Sequence, residues 1–190
     1  MLIPFTREWR AVRDRRSRAL TFVDAIRREP DDADVAWLAA GAANGDLDHA
    51  RWELRYAQWA LAVLSAQRDA LDDRTSSEVL DSLLKQVRED ARVTPVLRAL
   101  VEHQFNDRLS GYREALSVRG GTVGSGERLG RVLLAFASDG ARSAGAPLPR
   151  AVDVLSGYLA LSNDALRAVY GAASLPEHLP PSEVIAPGRR

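Results

Sequence analysis

The sequence predicts an all-α fold, a single bundle of six or seven helices with a proline-rich C-terminal arm. Three observations carry this prediction. Ala and Leu are abundant, aromatics make up only 6% of the 190 residues, and β-branched runs are short. Apolar residues recur at three- and four-residue spacing over long stretches. Recognisable helix caps and stops punctuate those stretches, and no segment reads as a strand.

The first helix is predicted from about Thr6 to Arg28, with Trp9, Val12, Ala19, Leu20, Val23 and Ile26 at helical spacing, and Pro30 ends it. Asp31 or Asp32 opens a second, because a carboxylate suits the positive end of a helix; it passes through Val35, Trp37 and Leu38 and stops at Asn44-Gly45. The third, from about Asp46 to Asp72, is the longest. Its main stripe is Leu47, Ala50, Leu54, Ala57, Leu61, Leu64 and Leu71, and Trp52, Tyr56, Trp59 and Val63 make a second stripe on nearly the opposite side. A helix apolar on two sides belongs in the middle of a bundle.

A fourth helix opens at the capping-box pattern Thr75-Ser-Ser-Glu78 and carries Val79, Leu80, Leu83, Leu84 and Val87 on one face. Thr94-Pro95 starts a fifth, with the stripe Leu97, Val101, Phe105, Leu109, Tyr112 and Leu116, which ends at Gly120-Gly121. A sixth spans about Glu127 to Asp139. A seventh spans about Pro149 to Tyr170, with Val152, Leu155, Leu159, Leu166 and Val169 inward. The expected domain therefore covers residues 1–174, with a hinge at 120–126. Residues 175–190 read as an extended arm, since Pro176, Pro180, Pro181 and Pro187 forbid a regular helix while Leu175, Leu179, Val184 and Ile185 are too apolar for a purely solvated tail.

Composition excludes several classes of function. The absence of Cys removes disulfide scaffolds, thiolate metal sites and thiol nucleophiles. The balance of 26 basic and 26 acidic groups supplies no global field to hold a polyanion. No stretch approaches the length of a membrane span, and the start lacks the apolar core of a secretory signal, so the cytoplasm is the expected location. There is no G-x-S-x-G and no strand to carry a nucleophile elbow. The Asp-rich run Asp69 to Asp73 stands alone and reads as a turn between helices.

The sharpest candidate site is the start of the third helix. Asp46, His49 and Glu53 are spaced i, i+3, i+7 and share one side, between the two apolar stripes. Carboxylate and imidazole at this spacing are what a helical metal site uses, and a divalent metal is the cofactor such a set would take. Only one such pair is present, so the competing assignment gives Asp46 and Asp48 to the helix N-terminus and Glu53 to an arginine one turn away. On helix five, His103 and Asp107 point away from the apolar stripe, toward solvent. Trp52, Tyr56 and Trp59 are candidates to line a small-ligand pocket.

The glycine-rich link from Gly120 to Gly126 opens onto a helix N-terminus that can hold an anion, with Arg128 or Arg131 beside it, but lacks the preceding strand and the lysine of a P-loop. The first helix concentrates Arg7, Arg10, Arg13, Arg15, Arg16, Arg18, Arg27 and Arg28, with acidic residues interleaved. The expected function is a non-catalytic protein-interaction or assembly module. It self-associates or binds another protein through the arm residues Leu175, Leu179, Val184 and Ile185. The alternatives are a metal-dependent bundle enzyme, hydrolase or oxidase, on Asp46, His49 and Glu53, and a small-ligand binder on Trp52, Tyr56 and Trp59.

Overall fold

A computed structural model describes residues 6–68, 73–118, 122–138 and 148–171. Seven α-helices and one 3₁₀ turn make up this part of the chain, with no strand among the described residues. The helices are α1 (Arg7–Ile26), α2 (Asp32–Gly41), α3 (Leu47–Arg68), α4 (Asp73–Glu89), α5 (Arg98–Ser117), α6 (Ser125–Ala137) and α7 (Leu148–Tyr170); the 3₁₀ turn, Pro95–Leu97, leads into α5. The predicted arm, including Leu175, Leu179, Val184 and Ile185, lies outside the described residues.

The two-sided apolar pattern of α3 is expressed as predicted. Every residue from Glu53 to Ala66 is buried, and α3 packs against all six other helices. Around it, α1 runs alongside α4, α5 against α6, and α6 against α7. Thr6 caps α1 by accepting the Trp9 amide at 3.2 Å, and Asp31 caps α2 by accepting the Ala33 amide at 2.7 Å. The corner between α2 and α3 uses Asn44 and Gly45 at φ 52° and 85°, and the Gly45 amide donates to the Ala39 carbonyl at 2.8 Å.

Several boundaries differ from the sequence expectation for local reasons. The first helix ends at Ile26, two residues early. The fourth begins at Asp73, whose carbonyl accepts the Ser77 hydroxyl, so Thr75 sits buried inside the first turn instead of capping it. The sixth begins at Ser125, directly after Gly124. Leu47 and Leu97, the first members of two predicted core stripes, are solvent-exposed because their helices begin at the edge of the bundle.

Candidate functional site

The first two turns of α3, the loop that follows α4 and the first turns of α5 enclose a cleft of about 400 Å³. Trp52 and Tyr56 project into it from α3, while Val93, Leu97, Leu100 and Val101 supply its apolar wall. Asp46, Asp48, His49, Arg51, Arg55, Arg92 and Gln104 add polar groups. Aromatic neighbours hold the floor: Trp52 lies 5.5 Å from Tyr56 between ring centroids, and Tyr56 meets Trp59 edge-on at 6.0 Å. The Tyr56 hydroxyl donates to Gln104 Oε1 at 3.0 Å, tying α3 to α5. Burial is the main cause that holds this phenol above its usual pKa.

The metal-candidate trio is not gathered around one centre. Asp46 Oδ1 accepts the His49 backbone amide at 2.9 Å and so caps α3. Glu53 is buried and receives two hydrogen bonds from Arg108 of α5, 2.6 Å from Nη2 and 3.2 Å from Nε. The partner is thus on another helix, not one turn away on α3 as the sequence suggested. Among the described residues no group of three His, Asp or Glu side chains is placed to hold a metal ion. His103 and Asp107 lie on the solvent side, 3.4 Å apart within α5.

The predicted ligand trio divides in a similar way. Trp52 and Tyr56 line the cleft, whereas Trp59 is buried behind them against Phe105 at 6.4 Å. The two arginines of the glycine-rich link are engaged elsewhere. Arg128 donates to the backbone carbonyls of Ala115, Val118 and Val123, bracing the link against the end of α5, and Arg131 pairs with Glu127.

Sequence reasoning missed a network that borders the cleft through Arg55 and Arg92. Glu29 accepts hydrogen bonds from both Arg55 and Arg92, and Arg92 also reaches the buried Asp90 carboxylate, at 2.9 and 2.8 Å. Arg27 joins from just after α1, 2.7 Å from Gln86 and 3.4 Å from Asp90. The Arg92 hydrogen bond is the main cause that holds the Asp90 carboxyl down to about 2, against the burial that raises it. Glu29 is also lowered, because its bonds to Arg55 and Arg92 outweigh desolvation. Arg92 and Asp90 are two residues apart, but no signal in the sequence points to the partners from other elements, which lie 26 to 63 residues apart.

Most of the charged groups that line or border the cleft are engaged in ion pairs. Arg51 pairs with Asp32, Arg55 with Glu29, Arg92 with Asp90 and Glu29, and Glu53 with Arg108. Two buried nitrogens, His49 Nε2 and Arg55 Nε, have no hydrogen-bond partner among the described residues. No helix among the described residues is long and apolar enough to cross a membrane. Comparison with protein-family models, curated proteins and solved structures finds no match for this chain.

Proposed function

We propose that this chain is a helical interaction module that acts by binding and not by catalysis, and that its docking surface is the cleft between the starts of α3 and α5. One observation carries this reading. Val96 is 88% exposed, Leu97 43% and Leu100 48%, so three large aliphatic side chains stand open within five residues beside the cleft that Trp52 and Tyr56 line. Exposed aliphatic clusters of this kind mark contact sites more often than scattered single residues do. A second copy of the chain is the proposed partner, and the apolar arm residues Leu175, Leu179, Val184 and Ile185 are proposed to contribute to the same assembly.

Light scattering across a concentration series tests the reading. The native chain is expected to show a mass that is a multiple of 20.8 kDa. The pair Leu97→Glu and Leu100→Glu should return it to a monomer with unchanged helical content, since neither side chain belongs to the buried core. A native chain that stays monomeric at every concentration overturns self-association. Removal of residues 175–190 tests the arm separately, and an unchanged mass removes it from the contact.

A small ligand is the second reading, favoured by the cleft volume and by Trp52 and Tyr56 in its lining. Ligand-dependent quenching of tryptophan emission that disappears in Trp52→Phe would favour it over the first.

A further inference from the structure

Arg55 of α3 is a buried cation that lines the cleft and is incompletely paired. Its side chain is 4% exposed, yet among the described residues it gives one hydrogen bond, from Nη2 to Glu29 Oε2, and its buried Nε has no partner. A guanidinium carries several N–H donors, and those taken out of water need acceptors. Neighbouring arginines are better served. Arg108 gives two hydrogen bonds to Glu53, and Arg92, which also lines the cleft, gives two to the Asp90 carboxylate and one to Glu29.

Glu29, the partner of Arg55, stands on the solvent side. Its side chain is 58% exposed, it lies in the connection between α1 and α2, and it gives one oxygen to Arg55 and the other to Arg92 at 2.7 Å. A carboxylate this exposed can turn into water at little cost. Two arginines of the cleft lining thus converge on a carboxylate group, and the group that holds the position is a replaceable one. Beside them the cleft becomes apolar. The Arg55 guanidinium lies 5.0 Å from the Trp52 ring, Trp52 lies against Tyr56, and Val93, Leu97, Leu100 and Val101 form the aliphatic wall. The acidic groups of the lining are accounted for elsewhere. Asp46 and Asp48 are exposed at the start of α3, about 10 Å or more before Arg55 along the helix, and Glu53 is held by Arg108.

We propose, resting on the small-ligand reading of the cleft, that it takes a small monocarboxylic acid with an apolar body. The ligand carboxylate displaces Glu29 from Arg55 and Arg92, and the body lies between Trp52 and the aliphatic wall. A planar carboxylate matches the guanidinium fork, as Glu29 itself shows. A ligand is free of the backbone that fixes Glu29, so it can turn both oxygens toward Arg55 and supply the acceptor that Nε lacks. The released Glu29 is solvated, while Arg92 keeps Asp90 as its partner. A volume of about 400 Å³ holds a molecule of this class.

Isothermal titration calorimetry of the full chain with hydrocinnamate and with hydrocinnamyl alcohol provides the test, at a protein concentration where light scattering gives a single mass. The two probes share one body and differ in the charged end. The acid should bind, and the alcohol should bind roughly tenfold more weakly or worse, as expected for loss of a hydrogen bond between charged groups. Glu29→Gln should tighten the acid severalfold and leave the alcohol unchanged, because a neutral amide competes less for the two arginines. Arg55→Gln should bring the acid down to the level of the alcohol, with circular dichroism and a thermal melt as the control on folding. Equal binding of acid and alcohol overturns the carboxylate site and leaves the small-ligand reading standing, whereas binding of neither at millimolar concentration overturns both. Acid binding that is unchanged or weaker in Glu29→Gln overturns the displacement of Glu29, and this result does not depend on whether Arg55→Gln folds. A folded Arg55→Gln that binds the acid like the native chain overturns the role of Arg55.

Discussion

The contact between α3 and α5 and the contacts that α6 makes with its neighbours are built on opposite principles. Between α3 and α5, a buried carboxylate meets a partly buried guanidinium, and the Arg108 guanidinium lies near the rings of Tyr56 at 5.6 Å and Phe136 at 4.7 Å. Around α6, absence of side chain sets the approach: a Cβ on Gly130 would come 2.8 Å from Leu148, and one on Gly111 of α5 would come 2.9 Å from the ring of Phe136. The first contact specifies one partner by charge and geometry. The second specifies only a distance, so it tolerates adjustment wherever the opposing atoms can move.

The largest expected effect comes from breaking the charged contact on one side. Glu53→Gln should destabilise the chain by about 3–5 kcal/mol in denaturant titration, because Arg108 keeps its charge in a site with little solvent. The double change Glu53→Leu with Arg108→Met should recover much of that loss. If it does not, the pair contributes net stability beyond the cost of an unpaired charge.

Acid should weaken the network around Glu29 and Asp90. Asp90 has a lower pKa folded than unfolded, so its contribution is complete above the ordinary aspartate range near 3.8 and disappears as pH falls through about 2. Glu29 acts in the same direction, with less weight because its side chain is mostly solvated. The melting temperature should therefore fall between about pH 4 and pH 2, and Asp90→Asn should flatten that dependence.

The glycine contacts sharpen the comparison at smaller scale. Gly111→Ala should cost about 1–2 kcal/mol, since the new methyl meets a ring held against Arg108 and Tyr112, and the gain in helix propensity offsets only part of it. Gly130→Ala should cost less, because the closest atom is the mobile end of Leu148. Thermal melts of the two variants would show the order. Smallest is Gly45→Ala at about 1 kcal/mol or below, where no atom lies within 4 Å and only the positive φ of 85° resists the substitution.

Much of the candidate cleft was legible because it begins at a helix start. The run from Asp46 to Tyr56 stood out for its spacing, and Asp46, His49, Trp52 and Tyr56 do line one cavity. The roles inside it were not legible to the same degree. Trp52 and Trp59 belong to one sequence stripe, yet only Trp52 reaches the cleft, because Phe105 of α5 covers Trp59. Periodicity also placed Leu97 in the core, where the 3₁₀ turn at Pro95–Leu97 instead holds it at the rim.

The sequence by itself determined the all-α class, the central place of α3 and the approximate starts of α1 near Thr6 and of α2 at Asp31 or Asp32. These rest on interactions within a few residues, or on a periodicity repeated along a single helix. Only the tertiary structure decided that Glu53 faces Arg108 and that Arg55 and Arg92 converge on Glu29. Ion pairs between helices depend on how each helix is rotated and how far it slides against its neighbour. Many rotations and offsets satisfy the same apolar stripe, so local spacing leaves them open until the side chains interlock.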